Sequence, residues 1–164
     1  MIEGTVMGYT HYWHRPVNNA GSVHQYTELR MDAARIISTA MDGGIEVRGP
    51  FGVGQPQFSE ERFAFNGDKE NDFWHETFSW KRYPTLHDYE VAEGKTETFD
   101  FCKTAYKPYD AVVCAVLIRA KEIYGDLVRV KSDGNWDEWA SGRKLYELTF
   151  GREPSNPMRE SESV

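Results

Sequence analysis

Hydrophobic and polar positions repeat with two different periods along the chain, and these periods separate predicted helices from predicted strands. Apolar residues three or four positions apart over 23–41 predict an amphipathic helix that ends at the Gly43–Gly44 pair. Apolar residues at every position of 111–118 predict a helix that is buried around its whole circumference and stops at Gly125. A third helix is predicted over 136–150.

Shorter segments rich in aromatic and β-branched residues predict strands, because Gly, Pro, Asn or Asp residues bound them. These segments are residues 3–14, 45–48, 62–65, 73–80 and 127–130, together with the extended aromatic run that begins at Phe99. The Asn66–Gly67 pair predicts a turn, and residues 83–97 are expected to form a long surface loop. The resulting order predicts an α+β fold, in which an antiparallel β-meander packs against three helices.

The chain length predicts one domain over residues 1–151, since 164 residues suffice for a single core. The charged segment 152–164 has few apolar residues to bury and is expected to be disordered. No signal peptide and no bilayer-spanning apolar stretch is recognisable, so the sequence predicts a cytoplasmic protein without a membrane partner. Cys102 and Cys114 are expected to be reduced thiols.

Composition narrows the classes of ligand. A net charge of -7 argues against general affinity for nucleic acid backbones, although one pocket of an acidic protein can still be positive. Aromatic residues make up 14% of the chain, which is more than the core of a small domain usually needs. Some of these rings are therefore expected to line a ligand surface.

Four segments carry polar residues that a hydrophobic core would not select. They are residues 9–14, 75–78, 102–107 and 132–134. In the third segment, Lys103, Thr104 and Lys107 stand immediately before the predicted central helix. Because a helix N-terminus offers free N–H groups and partial positive charge, these three residues predict an anion site.

Strand alternation places Glu76 between Trp74 and Phe78 on a face that should be apolar. A buried carboxylate must be protonated, be paired with a cation or line a cavity. Lys103 and Arg15 are the candidate partners, and no partner is needed if the face is exposed to solvent.

Catalysis is a second possibility for the same segments. His75 and Thr77 form one half of the paired His-x-Thr arrangement of two-histidine phosphoesterases, but His11 lacks the matching hydroxyl. His11, His75 and Glu76 would be the catalytic residues if the protein is an enzyme. The same three residues could hold a metal ion, yet no standard metal-binding spacing occurs, so no metal and no cofactor is predicted.

Several short motifs occur together in the chain. They are GYTHYW at 8–13, AFNG at 64–67, HETF at 75–78, FDFCKTAYKPYD at 99–110 and SDGNW at 132–136. In these motifs the chain resembles, up to about Gly151, a family of small proteins of phages and bacteria that has no assigned activity. The resemblance implies a phage or prophage setting, where small ligand-binding proteins often counter host defences that signal through nucleotides.

Three functional hypotheses remain open. The first is a homo-oligomeric protein of the bacterial cytoplasm that sequesters a cyclic dinucleotide or an ADP-ribose-derived immune signal. Tyr9, Tyr12 and Trp13 would stack on or enclose the base, and lysines would hold phosphate. Its predicted ligand-binding residues are Tyr9, Thr10, His11, Tyr12, Trp13, His75, Glu76, Lys103, Thr104, Lys107 and Asp133. The second is a phosphodiesterase or related hydrolase that cleaves such a signal with His11 and His75. The third is an interaction protein that blocks a host protein through an aromatic surface.

Overall fold

Strands and helices alternate along residues 8–159, the part of the chain that the computed structural model describes. The strands are β1 (Thr10–Pro16), β2 (Val47–Arg48), β3 (Gln57–Phe58), β4 (Arg62–Gly67), β5 (Phe78–Lys81), β6 (Glu97–Lys103) and β7 (Arg129–Ser132). The helices are α1 (Val23–Asp42), α2 (Asp88–Ala92), α3 (Asp110–Tyr124) and α4 (Ala140–Phe150). Every strand pair in this part of the chain is antiparallel, and the predicted α+β class is confirmed.

The strands form two sheets. In the first sheet the order is β6-β1-β7, so the strand that comes first in sequence lies in the middle. In the second sheet β4 pairs with β2, β3 and β5. The first sheet therefore differs from a meander, because the two neighbours of β1 come from distant parts of the chain. In the second sheet β3, β4 and β5 pair consecutively and antiparallel, as the predicted meander requires.

Helix α3 forms the centre of the core. Every residue from Ala111 to Ile118 is buried, as the unbroken apolar run predicted. Helices α1 and α4 pack against α3. A Cβ atom added at Gly142 of α4 would overlap the Cβ atom of Cys114, so the two helices approach each other as closely as a glycine allows.

The first sheet has one covered face and one open face. On β1 the side chains of His11, Trp13 and Arg15 are buried in the core, whereas Tyr12 and His14 on the opposite face are only half-buried. This alternation follows from the two-residue period of a strand. One face of the first sheet therefore packs against α3 and β5, and the opposite face is open to solvent.

The predicted strand over 73–80 is wrong for its first half, because only Phe78–Lys81 is extended and paired. The side chain of Asn66 explains the difference. Its Nδ2 donates to the carbonyl oxygen of His75 at 3.0 Å, and its Oδ1 accepts from the N–H of His75 at 3.1 Å. A side chain thus satisfies the backbone that a neighbouring strand would otherwise pair, and Asn66–Gly67 is the end of β4 rather than a turn.

Two predicted irregular segments contain more structure than expected. The predicted loop over 83–97 includes helix α2. In the predicted disordered tail, Pro154 and Pro157 are buried, and Arg152 forms an ion pair with Glu122 at 3.0 Å. The chain from 152 to 159 therefore packs against the domain.

The ends of the chain limit two further predictions. The predicted strand over 3–14 is confirmed from Thr10 onward, while residues 1–7 lie outside the described part of the chain, as do residues 160–164. Within 8–159 no helix combines the length and the apolar character that crossing a membrane requires.

Candidate functional site

His11 lies at the centre of β1 and is fully buried. Its Nδ1 is 2.8 Å from the hydroxyl oxygen of Ser132 on β7, and its Nε2 is 2.7 Å from Oδ1 of Asp110 on α3. The rings of Tyr9 and Trp139 pack edge-on against the imidazole, each with centroids 5.0 Å away. His11 is thus enclosed by the protein and not available to a ligand.

The hydrogen bonds of Ser132 determine the tautomer of His11. The Ser132 hydroxyl oxygen accepts from the N–H of Gly134 at 2.9 Å and from Nε1–H of Trp139 at 3.1 Å. These two donors occupy both lone pairs, so the hydroxyl hydrogen is donated to Nδ1 of His11. His11 is therefore a neutral imidazole that carries its hydrogen on Nε2 and donates it to Asp110.

Asp110 is the acceptor at the centre of this buried cluster. Besides His11, its Oδ1 accepts from the hydroxyl of Thr104 at 2.5 Å, and its Oδ2 accepts from the Cys114 thiol at 3.6 Å. Three donors thus satisfy a carboxylate that lies in the first turn of α3, where a helix favours negative charge. The sequence alone did not indicate this cluster, because His11 and Asp110 are 99 positions apart.

The anion site predicted at the start of the central helix is not formed. The first N–H groups of α3 bond to backbone carbonyls, from Asp110 to Lys107 at 2.8 Å and from Val112 to Tyr109 at 2.9 Å. The hydroxyl of Thr104 is fully buried and bonded to Asp110. The helix start is therefore occupied by the protein's own groups.

His11, Asp110 and Cys114 place three potential metal ligand atoms within 4.8 Å of one another. The hydrogen bonds argue against a metal in this position, because Nε2 of His11 carries a hydrogen and has no lone pair to offer. Burial and the negative charge of Asp110 raise the pKa of the Cys114 thiol, so it stays protonated. We interpret the cluster as a hydrogen-bonded link between β1, β7 and α3.

Strained backbone is concentrated elsewhere, around the segment 74–77. Within residues 8–159, the non-glycine residues with positive φ are Phe51, Asp72, Ala105 and Tyr106. Such conformations cost about 1–3 kcal/mol each and gather at functional sites. Asp72 and Ala105 line one cavity beside this segment, and Phe51 lines another.

These two cavities share His75 and Glu76, and together we call them the cleft. The first has a volume of about 650 Å³ and is lined by Asp72, Trp74, His75, Glu76, Ala105 and Lys107. The second has a volume of about 570 Å³ and is lined by Pro50, Phe51, Arg62, His75, Glu76, Thr77 and Ser79. Volumes of this order accept small ligands. The cleft therefore brings together His75, Glu76 and Lys107 from the predicted ligand-binding set.

Backbone hydrogen bonds hold Glu76 in the cleft. Its Oε1 accepts from the N–H of Lys103 at 2.7 Å, and its own N–H donates to the carbonyl oxygen of Lys103 at 3.1 Å. The partner of Glu76 is thus the main chain of Lys103 rather than a cation. Arg15, the other candidate, instead donates to the carbonyl oxygen of Lys81 at 2.5 Å and lies 4.3 Å from the ring centroid of Trp80.

His75 is a titratable group of the cleft. Burial is the main cause that lowers its pKa, and the positive charges of Lys107 and Lys103 lower it further, against the opposing effect of Glu76. His75 is therefore neutral at pH 7. Lys107 is held nearby, because its Nζ donates to the carbonyl oxygen of Asp72 at 2.8 Å.

The open side of the first sheet, which we call the outer face, carries aromatic rings with basic residues beside them. Its residues are Tyr12 and His14 on β1, Phe99, Phe101 and Lys103 on β6, and Arg129 and Lys131 on β7. Phe99 contacts Tyr12 at a centroid distance of 5.6 Å and Phe101 at 5.9 Å. The hydroxyl of Tyr12 donates to Oδ1 of Asp133 at 3.1 Å, which holds its ring in place.

Strand β6 has its polar and aromatic sides inverted. Phe99 and Phe101 are 50% and 51% exposed, whereas Thr98 and Cys102 are buried on the face that packs against the core. Asp100 also lies on that inner side, and burial raises its pKa. A strand selected only for stability would bury its phenylalanines and expose its polar residues.

The structure distributes the predicted ligand-binding residues among three places. Tyr9, His11, Trp13 and Thr104 are buried in the core, Tyr12, Thr10 and Asp133 belong to the outer side of the first sheet, and His75, Glu76 and Lys107 line the cleft. The grouping of Tyr9, Tyr12 and Trp13 around one base is therefore wrong, because Tyr9 and Trp13 are only 1% and 2% exposed. Likewise His11 and His75 are not brought together as an acid–base pair.

Lys103 joins two of these places. Its side chain lies on the outer face, in the same row as Phe99 and Phe101, while its backbone bonds to Glu76 of the cleft. The sequence did not single out Phe99, Phe101, Arg129 or Lys131 as ligand-binding residues. Their alternation with Thr98, Asp100 and Val130 was visible, but only the pairing with β1 shows which side is open.

No protein-family model, curated protein or solved structure matches the chain. The functional assignment therefore rests on the geometry of the outer face and the cleft.

Proposed function

We propose that the protein binds a nucleotide-derived ligand on the outer face and holds it without cleaving it. The observation that carries this proposal is the inversion of β6, which exposes Phe99 and Phe101 while Thr98 and Asp100 face the core. Burial of one phenylalanine side chain stabilises a fold by about 1.5–3 kcal/mol relative to exposure. Exposure of two phenylalanine rings on one strand therefore costs the fold stability. A ligand-binding role explains why the rings are nevertheless exposed.

The rings of the outer face suit a nucleobase. Phe99 and Tyr12 lie nearly parallel, with an angle of 20° between their ring planes, and Phe101 follows on the same side of β6. Aromatic side chains on an open sheet stack against unpaired bases, with about 1–3 kcal/mol for each base. The neighbouring rings restrict one another, so little side-chain entropy is lost on binding.

The basic residues of the outer face suit phosphate. Lys103 follows Phe101 in the outward row of β6, at the spacing of about 7 Å that separates alternate residues of a strand. Lys131 lies across the sheet, opposite Tyr12. A base that stacks on Phe101 would therefore have a cation on either side for its phosphate groups.

The position of His11 favours binding over cleavage. General acid–base cleavage of a phosphodiester by two histidines requires both rings to reach the ligand. His11 is fully buried with both ring nitrogens bonded, which leaves His75 alone in the cleft. In the phage setting that the sequence motifs imply, a protein of this kind would sequester a host signalling nucleotide.

Incubation with cyclic dinucleotides and ADP-ribose-derived signals, followed by chromatography before and after heat denaturation, tests the proposal. We expect the free ligand to disappear and to return intact on heating. A product in place of the ligand would instead establish the hydrolase hypothesis. An unchanged concentration of every ligand would favour the protein-blocking hypothesis.

The variant Phe101→Ala tests whether the outer face is the binding surface. Loss of one stacked ring is expected to weaken binding by about tenfold, as the energy of base stacking on an aromatic side chain implies. Phe58→Ala is the matched control, because Phe58 is 40% exposed on the second sheet. Equal affinities of the two variants would exclude the outer face.

A further inference from the structure

A basic cavity adjoins the outer face along the edge of β7. It has a volume of about 340 Å³ and lies between β7, the end of α3 and the segment 157–159. Its lining residues are Lys121, Asp126, Arg129, Val130, Lys131, Pro157, Met158 and Arg159. We propose that this cavity is a second phosphate subsite, and that the ligand is a linear oligonucleotide of two or three nucleotides. This inference rests on the proposed function.

The charge of the cavity points to an anion. Four of its lining residues are cationic and one, Asp126, is acidic, although the whole chain has a net charge of -7. A local excess of positive charge on an acidic protein attracts a small anionic ligand without general affinity for long nucleic acids. The positive charge is therefore concentrated where a bound ligand would meet it.

The four cations differ in the partners they have among residues 8–159. Lys121 has a structural role, because its Nζ donates to the carbonyl oxygens of Gly125 at 3.1 Å and Val128 at 2.7 Å. Arg129 forms an ion pair with Glu97. Within residues 8–159, the side chains of Lys131 and Arg159 make no hydrogen bond or ion pair and are exposed.

The cavity is continuous with the aromatic surface. Antiparallel pairing places Lys131 opposite Tyr12 and Arg129 opposite His14, so both basic side chains stand on the outer face. The same two residues line the cavity. A ligand chain that crosses the rings from β6 to β7 would therefore enter the cavity directly.

The distance between Lys103 and Lys131 favours an oligonucleotide over a mononucleotide. Lys103 and Lys131 are two strands apart across the sheet and two residues apart along it, which corresponds to about 12 Å between their Cα atoms. A mononucleotide, or the adjacent phosphates of a pyrophosphate, would engage one of these cations. Phosphates on the two sides of a stacked nucleotide can engage both.

Calorimetric titration with 5′-phosphorylated adenosine mono-, di- and trinucleotides at one fixed salt concentration tests the inference. We expect the di- or trinucleotide to bind at least about tenfold more tightly than the mononucleotide, since an added charge-assisted contact contributes about 1.5 kcal/mol or more. Arg159→Gln should remove part of this gain and leave the affinity for the mononucleotide within about twofold, because Arg159 lines the cavity but is not part of the outer face. Lys131→Gln should also remove part of the gain.

Lys144→Gln is the matched control, because Lys144 is exposed on α4 outside the cavity and loses the same charge. If all three nucleotides bind equally, or if Lys131→Gln and Arg159→Gln behave like the control, the subsite is excluded and the proposed function stands. If none of the nucleotides binds, and none of the cyclic or ADP-ribose-derived ligands does, both proposals are excluded.

Discussion

The Nδ1 atom of His11 lies 2.8 Å from the hydroxyl oxygen of Ser132, and this contact joins residues 121 positions apart. Ser132 receives two N–H donors from its other neighbours, so it must donate its own hydrogen to His11. The hydrogen on Nε2 then points at Asp110 of α3. A single hydrogen-bonded chain thus connects β1 with β7 and with α3, and it keeps in the core a histidine that the sequence offered as catalytic.

This arrangement predicts the protonation of His11. Long-range ¹H–¹⁵N correlation spectra at pH 7 should show His11 with its hydrogen on Nε2 only, because exchange of tautomers would break the bonds to Ser132 and Asp110. His24 is the internal control, since its side chain is exposed on α1 and free to exchange tautomers. Addition of Zn²⁺ should leave the His11 signals unchanged. A hydrogen on Nδ1, or a zinc-dependent shift, would contradict the assignment.

A close contact between Tyr9 and Gly134 predicts how substitutions at these two residues change stability. A Cβ atom added at Gly134 would overlap the hydroxyl oxygen of Tyr9 and lie 2.8 Å from its Cε1. Gly134→Ala is therefore expected to lower the free energy of unfolding by about 1–3 kcal/mol. The Tyr9 hydroxyl is buried and has no partner among residues 8–159, so Tyr9→Phe should be neutral or stabilising.

Urea denaturation of the two single variants and the double variant measures the coupling. Because Tyr9→Phe removes the oxygen that an alanine would meet, we expect Gly134→Ala to cost less in this background, by about 1 kcal/mol. The ring carbon at 2.8 Å keeps the rescue incomplete. Strictly additive effects would show that the hydroxyl is not the obstacle.

The hydrophobic periodicity of the sequence predicted most helices and strands, but it did not predict which groups pair with each strand. The two-residue period of β1 correctly separates His11 and Trp13 from Tyr12 and His14, because alternation depends only on the backbone. The same rule fails at residues 73–77, where the side chain of Asn66 replaces a strand partner. Such a hydrogen bond depends on the side chain of a residue outside the segment, so the pattern within residues 73–77 cannot predict it.

The structure brings together only part of the predicted ligand-binding set. His75, Glu76 and Lys107 do share the cleft, since each lies near an irregular end of a strand or helix. The tertiary pairing of β6 with β1 decides that Phe99 and Phe101 face solvent. Because either face of an isolated strand can be the buried one, the sequence left this choice open.

Glu76 should contribute to stability through one oxygen atom. Its Oε1 accepts the backbone N–H of Lys103, and Glu76→Ala removes this acceptor from a half-buried donor. We expect a loss of about 1 kcal/mol, measured as a lower urea midpoint. Glu76→Gln keeps a side-chain oxygen and is the matched control, with an expected change close to zero. If Glu76→Gln is as destabilising as Glu76→Ala, the negative charge rather than the hydrogen bond is what matters.

The pKa of His75 predicts a dependence of stability on pH. Burial and the nearby positive charges of Lys107 and Lys103 hold this pKa below its ordinary value of 6.5. Well above pH 6.5 His75 is neutral in both the folded and the unfolded chain and contributes no pH dependence. As the pH falls through that value, the unfolded chain binds the proton first, so the free energy of unfolding decreases until the folded His75 is protonated as well.

Comparison with His75→Gln isolates this contribution, because His14 also has a pKa lowered by burial and is present in both proteins. Between pH 7.5 and 5.5 the parent protein should lose more stability than His75→Gln, as judged by urea midpoints at each pH. Lys107→Gln removes one of the two lysine charges that lower the pKa of His75, so its loss should lie between the other two. If His75→Gln is as sensitive to acid as the parent, protonation of His75 is not disfavoured by folding. Burial and the charges of Lys107 and Lys103 would then not outweigh the opposing charge of Glu76.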